Sequence, residues 1–77
     1  MTRLGSYSGE TVVRAFQRAG WRVARQRSSH VILEKDGHEA TLSVPVHKGK
    51  DVKRGTLSLR DLIRDADMKV EEFLSFL

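Results

Sequence analysis

The chain contains no cysteine, a single proline and no long apolar run. Without cysteine it can form neither a disulfide nor a thiolate metal site, which fits a reducing compartment. No stretch approaches the roughly 18 apolar residues of a membrane-spanning helix, and residues 1–6 lack the apolar core of a signal peptide. These absences, together with a length of 77 residues, favour a small cytoplasmic protein with one domain over residues 1–77.

Positive charge is concentrated in the first 60 residues. Residues 1–60 contain 12 basic and 5 acidic side chains, whereas residues 61–77 contain 2 basic and 5 acidic ones. A basic body is typical of proteins that bind polyanions, most often nucleic acid, although solubility alone also favours surface charge. The charge by itself therefore leaves both nucleic-acid binding and a simple structural role open.

Helical spacing of apolar residues predicts a helix near the start of the chain. Ser8 is a suitable N-cap, because its side chain can accept a hydrogen bond from the first turn. Gly20 ends the helix in the left-handed conformation that glycine tolerates, and Trp21 then packs back on the last turn as part of the core. The apolar stripe between them consists of Val12, Val13, Phe16 and Ala19.

Three strands and two further helices are predicted after Gly20. The strands cover 21–26, 30–35 and 38–44, and Pro45 ends the third. Thr56 is placed to cap the second helix. The apolar stripes of the last two helices are Leu59, Leu62, Ile63 and Ala66, and Val70, Phe73, Leu74 and Leu77. The order α-β-β-β-α-α predicts an α+β sandwich, in which helices cover one face of a three-stranded antiparallel sheet.

The turn between the second and third strands determines the direction in which His30 points. Asp36-Gly37 is typical of a two-residue hairpin turn, and pairing outward from it places Lys35 opposite His38 and His30 opposite Ser43. The apolar face then contains Val31, Leu33, Ala40 and Leu42, and the mostly polar face contains His30, Ile32, Glu34, Glu39, Thr41 and Ser43. If the helices cover the apolar face, His30 lies in water on the open face.

An exposed histidine can serve as a general base in RNA cleavage. RNA carries its own nucleophile, the 2′-hydroxyl, and a base that removes its proton lets it attack the adjacent phosphorus without a metal. Imidazole suits this role because it titrates near neutral pH. On the residues alone, a surface histidine of no consequence is the simpler interpretation. His30, His38 and His47 are 8 and 9 residues apart, which matches no local metal-ligand spacing, so no metal or other cofactor is expected.

A second basic feature is the segment 46–55, which leads into the N-terminus of a helix, where backbone N–H groups attract phosphate. Its candidate phosphate-binding side chains are Lys48, Lys50, Lys53 and Arg54. An ordinary solvated loop is the alternative interpretation. Arg27, in the turn beside His30, is a further candidate, for holding the scissile phosphate. Regular alternation along the first strand would place Arg25 on the side of Val23.

The order and spacing of several short motifs resemble the HicA toxin family. They run from about Ser8 to Leu77 and are Ala19-Gly20-Trp21, Ser29-His30, Val44 to Lys50, Lys53 to Leu57, and Glu71 to Leu74. Members of that family are small bacterial or archaeal toxins that cleave mRNA. The resemblance implies a fold similar to double-stranded-RNA-binding domains, a HicB antitoxin that holds the toxin inactive, and a catalytic role for His30.

Two positions depart from the family pattern. The turn before the histidine usually reads Gly-Ser-His, whereas here Ser28 precedes Ser29 and His30, which bears on how well the histidine is aimed. The last helix usually begins with a capping serine, and Lys69 stands in its place here. We expect the second change to affect stability alone.

The sequence therefore predicts the toxin of a type II toxin–antitoxin system. It is expected to be an mRNA-cleaving endoribonuclease with His30 as general base and with Arg27 and the segment 46–55 as RNA contacts. The expected partners are mRNA and an acidic HicB-like antitoxin that covers the His30 face. An RNA-binding module without catalysis and a purely structural domain that binds an antitoxin are the alternatives.

Overall fold

A computed structural model describes residues 4–5, 7–46 and 59–77, together with the backbone of 51–52. Its elements in chain order are β1 (Tyr7–Ser8), α1 (Gly9–Arg18), β2 (Arg22–Arg27), β3 (His30–Glu34), β4 (Leu42–Pro45), β5 (Asp51–Val52), α2 (Leu59–Asp65) and α3 (Val70–Ser75). The predicted order of three helices and three main strands is confirmed, and so is the α+β class. Within the described residues, no helix has the length and apolar character needed to cross a membrane.

Helix α1 begins and ends as its sequence predicts. The Ser8 hydroxyl accepts a hydrogen bond from the Thr11 backbone N–H at 3.2 Å, which satisfies one of the free donors of the first turn. Gly20 has a φ of +103°, and beyond it the Trp21 N–H donates to the Phe16 carbonyl at 2.9 Å. The Trp21 ring then meets the Phe16 ring edge-on, with centroids 6.5 Å apart. Both rings are buried, so the prediction that they belong to the core is confirmed.

The three-stranded sheet has the order β2-β3-β4 and is antiparallel throughout. Its register corrects the prediction from the sequence, because Leu33 lies opposite Leu42 and His30 lies opposite Pro45. The third strand begins at Leu42 rather than at His38, and Ala40 is exposed outside the sheet. Each predicted pair is thus displaced by two residues.

The displacement has a physical cause in the turn that precedes β4. Asp-Gly is typical of a type I′ hairpin turn, which needs positive φ at both central residues. Of Asp36 and Gly37, only Gly37 has a positive φ, of +84°. Residues 35–38 instead form a single turn, in which the His38 N–H donates to the Lys35 carbonyl at 3.1 Å. The His38 ring then lies 5.3 Å from the Trp21 ring, and the chain reaches the sheet only at Leu42.

The helices cover one face of the sheet, as predicted. The side chains of β3 and β4 on that face are buried, namely Val31, Leu33, Leu42 and Val44. Helix α1 packs against β2 and β4, and α2 packs against β4. The four residues predicted to form the apolar stripe of α2 are all buried, namely Leu59, Leu62, Ile63 and Ala66. The predicted cap of this helix, Thr56, lies outside the described residues.

Helix α3 contributes one large side chain to the same core. Phe73 is fully buried, with its ring centroid 5.2 Å from that of Phe16, whereas Leu77 at the end of the predicted stripe is 39% exposed. At the start of the helix the Glu72 carboxylate accepts a hydrogen bond from the Lys69 backbone N–H at 3.3 Å. In a capping box the N-cap side chain also accepts a hydrogen bond from the backbone N–H of the third helical residue. A serine hydroxyl can accept this bond, but the ammonium group of Lys69 cannot, because it has no lone pair.

Two short strands were not predicted. Tyr7 of β1 pairs with Val52 of β5, and Ser8 pairs with Asp51, within the segment that the sequence assigned to a loop. The start of α1 also lies close to the end of β4, because a methyl group at Gly9 would overlap the carbonyl oxygen of Pro45. The N-terminus of α1 is therefore fixed to the end of the sheet where His30 lies.

Replacement of Phe73 by alanine tests whether α3 belongs to the core. We expect Phe73→Ala to lower the free energy of unfolding by about 3–5 kcal/mol, because it removes a buried aromatic ring. The exposed side chain of Leu77 provides the control, and Leu77→Ala should change that free energy by no more than about 0.5 kcal/mol. Denaturant unfolding measures both. Equal, small losses in the two variants would contradict the placement of α3.

Candidate active site on the open sheet face

His30 is the first residue of the central strand β3 and lies on the face that the helices leave uncovered. Its neighbours across the sheet are Arg27 on β2 and Pro45 on β4. The next residue, Val31, is 8% exposed and packs into the core, so His30 points the other way and is exposed. The prediction that His30 stands on the open face is confirmed, although the pairing used to derive it was wrong by two residues.

The turn that leads into His30 contains a strained residue. Ser28 has a φ of +54°, a left-handed conformation that is unfavourable for residues with a side chain. Resemblance to the HicA family places a glycine at this position, and glycine adopts that conformation without penalty. The Ser29 carbonyl accepts a hydrogen bond from the Val46 N–H at 2.6 Å, which joins the turn to the end of β4. The backbone that aims His30 is therefore held from two sides despite the serine.

A β-bulge in β2 brings a third arginine to the face that carries His30. Arg22 lies opposite Glu34, Arg25 opposite Ile32, and Arg27 opposite His30, with the register shift between Val23 and Arg25. Residues that lie opposite each other in adjacent strands share a face. The regular alternation that would place Arg25 on the side of Val23 is therefore broken, and Arg25 lies on the opposite side. The open face, as defined by these pairs, carries Arg22, Arg25, Arg27, His30, Ile32, Glu34, Ser43 and Pro45.

The three arginines differ in their electrostatic surroundings. Arg22 donates a hydrogen bond to the Asp36 carboxylate at 2.8 Å and lies 4.0 Å from the Glu34 carboxylate. The hydrogen bond to Asp36, followed by the negative charge of Asp36, raises the pKa of Arg22. Arg25 and Arg27 form no ion pair with any carboxylate among the described residues. Within the part of the chain that the structure describes, the positive charges at the His30 end of the face are therefore not paired with carboxylates.

The predicted lysine-rich RNA contacts lie outside the described residues. They are Lys48, Lys50, Lys53 and Arg54. The described residues that flank them are Pro45, which ends β4 opposite His30, and the strand β5, which pairs with β1 at the start of α1.

His38 occupies a different environment from His30. It is half-buried against Trp21, and its Nδ1 atom and the Trp21 Nε1 atom are both buried without a hydrogen-bond partner among the described residues. These surroundings indicate that His38 has a packing role. Across the described part of the chain, no group of three or more histidine, aspartate or glutamate side chains is placed to hold a metal ion.

Arg25 is the residue at this face whose position could not be read from the sequence. Six consecutive exposed positions on β2 give no apolar pattern from which to read a face, and no glycine marks the bulge. The only signal in the sequence is the density of arginine itself.

One known protein family has a sequence pattern that covers most of the elements described above. The sequence model of one protein family, described as the HicA toxin of bacterial toxin–antitoxin systems, matches residues 9–68 of the 77-residue chain. The matched part runs from the first residue of α1 past the end of α2 and includes the turn, the bulge and His30. No match was found among curated proteins.

Substitution of Ser28 tests the strain in the turn. We expect Ser28→Gly to stabilise the protein by about 0.5–1 kcal/mol, because the left-handed conformation costs a side-chain-bearing residue about 1–2 kcal/mol and glycine loses part of that gain in chain entropy. The melting temperature should rise by a few degrees. Ser29→Gly is the matched control, since Ser29 does not have a positive φ, and it should lower the melting temperature. A decrease in both variants would contradict a left-handed Ser28.

Proposed function

Because the chain belongs to the HicA toxin family of bacterial toxin–antitoxin systems, we propose that it is a metal-independent endoribonuclease that cleaves mRNA in the cytoplasm. The observation that carries this proposal is the exposed His30 at the end of the central strand, paired with Arg27 on an otherwise open sheet face. A base and a cation side by side can remove the proton of the 2′-hydroxyl and stabilise the charge that develops on the phosphate.

In the proposed reaction His30 removes the proton of the 2′-hydroxyl. The 2′-oxygen then attacks the adjacent phosphorus, and the bond from phosphorus to the 5′-oxygen breaks. The leaving 5′-oxygen takes up a proton from the solvent, and His30 returns its proton to the solvent. The products are a 2′,3′-cyclic phosphate and a 5′-hydroxyl end. The nucleophile belongs to the substrate, so no metal-bound water has to be generated.

Arg27 is assigned to the phosphate that reacts. Its guanidinium is permanently charged and can donate two parallel hydrogen bonds to phosphate oxygens, with a geometry that a lysine does not offer. Stabilisation of the developing charge by such a donor is worth about 2.7–4 kcal/mol in other enzymes. Arg27 is the arginine directly opposite His30, so the base and the charge-stabilising group flank one substrate position.

The segment 46–55 is assigned to the rest of the RNA backbone. Lys48, Lys50, Lys53 and Arg54 supply sequence-independent attraction to phosphates. The described strand β4 ends at Pro45, opposite His30, and this supports the assignment.

Membership of the family implies an antitoxin as a partner. We propose that this antitoxin is HicB-like and acidic, that it covers the His30 face, and that it places carboxylates where RNA phosphates would lie. Charge complementarity of this kind favours rapid and specific association. RNA and antitoxin would then compete for one surface. Simultaneous binding of both at undiminished affinity would instead locate the antitoxin on the helical side.

Replacement of His30 distinguishes catalysis from RNA binding alone. We expect His30→Ala to abolish cleavage of a long RNA by the purified protein, while the melting temperature stays within a few degrees of that of the parent because the residue is exposed. His38→Ala is the control. It removes a half-buried packing residue, so it should lower stability and retain cleavage. Retained cleavage in His30→Ala would rule out the proposed base and leave the RNA-binding module as the better account.

The identity of the nucleophile can be tested on the substrate. An oligonucleotide with a single 2′-deoxy sugar at the scissile position should resist cleavage, whereas the same modification three nucleotides away should not protect it. Chelation of divalent metals with EDTA should leave the rate unchanged. Analysis of the product ends by mass spectrometry completes the test. A 5′-phosphate product, or activity lost to EDTA and restored by a metal, would contradict the mechanism.

A further inference from the structure

Arg25 lies on the face that carries His30 and Arg27. The pairing is regular from Arg27 opposite His30 to Arg25 opposite Ile32, so alternation places both arginines on the side of His30. The register shift between Val23 and Arg25 then brings Arg22 to the same side. One extra residue in the strand therefore collects all three arginines on one face.

Arg25 is available for a ligand in a way that Arg22 is not. Arg22 is bound by Asp36 and lies beside Glu34, whereas Arg25 is exposed and forms no ion pair with a described carboxylate. Opposite Arg25 lies Ile32, a half-buried apolar side chain on the open face. A cation next to a small apolar surface suits the phosphate and the sugar or base of a single nucleotide.

We infer that Arg25, on the open face two residues from Arg27, binds the RNA phosphate that neighbours the one between His30 and Arg27. This inference rests on the proposed function. Arg25 and Arg27 are two residues apart on one strand, or about 6.7 Å along it. Their guanidinium groups can therefore engage consecutive phosphates of one RNA strand that runs along β2.

Edge protection is the other role that arginine on β2 can have. Charged side chains and a bulge on an outer strand both hinder pairing with a second protein chain. That role would be satisfied by a charge on either face of the strand. It does not account for the collection of all three arginines on the one face that also carries His30.

RNA binding in an inactive background tests the inference without depending on cleavage. In His30→Ala protein, the dissociation constant of a fluorescent single-stranded RNA oligonucleotide is measured by anisotropy at several salt concentrations. We expect the further change Arg25→Ala to weaken binding about tenfold at low salt. It should also reduce the slope of log K against log salt by about 0.7, since one phosphate contact is lost. Arg25→Lys should keep most of the slope, because it keeps the charge.

Arg14→Ala in the same background is the matched control. It removes the same charge from an exposed position on α1, beside Gln26 and Val31 on the covered side of the sheet, and should leave the slope unchanged. Equal effects of Arg14→Ala and Arg25→Ala would overturn the inference, because they would reflect net charge alone. An unchanged slope in Arg25→Ala would overturn it too, and so would a loss confined to antitoxin binding. If the unmodified protein, which retains His30, failed to cleave RNA, that result would count against the proposed function and not against the role of Arg25.

Discussion

The burial of Val31 and Leu33 is the constraint on which the rest of the site depends. These two side chains of the central strand pack under the helices, and strict alternation then places His30 and Ile32 on the opposite face. A slip of one residue in this strand would bury the imidazole and expose both apolar side chains. The hydrophobic effect that stabilises the core therefore also sets the direction of the candidate base.

Neighbouring elements restrict the position of His30 as well as its direction. The Ser28-Ser29 turn precedes it, the Ser29 carbonyl is bound by Val46, and Pro45 lies beside it in the sheet. The close approach of Gly9 to Pro45 attaches the first turn of α1 to the same corner. A residue at the end of a strand is usually free to fray, whereas here three separate parts of the chain converge on it. Such convergence is what a catalytic side chain requires of its scaffold.

The spacing of apolar residues correctly predicted those parts of the fold where it fits only one kind of element. Helices α1 and α2 and the open position of His30 followed from it and are confirmed. The register between β3 and β4 was wrong because Asp36 does not share the positive φ of Gly37. The error was two residues, which keeps every side chain on its face, so the conclusion about His30 survived. The bulge at Ala24 and the two-residue strands could not be predicted, because neither leaves an apolar pattern in the sequence.

The central claim is that RNA binds to the open face of the sheet, and amide chemical shifts report on that face directly. ¹⁵N-labelled His30→Ala protein should be titrated with a short single-stranded RNA that it cannot cleave. The account predicts that the largest shift changes fall on Arg25, Arg27, Ile32 and Ser43, while the exposed positions of α1 remain unchanged. The largest changes on α1 or α3, with none on the three central strands, would contradict it.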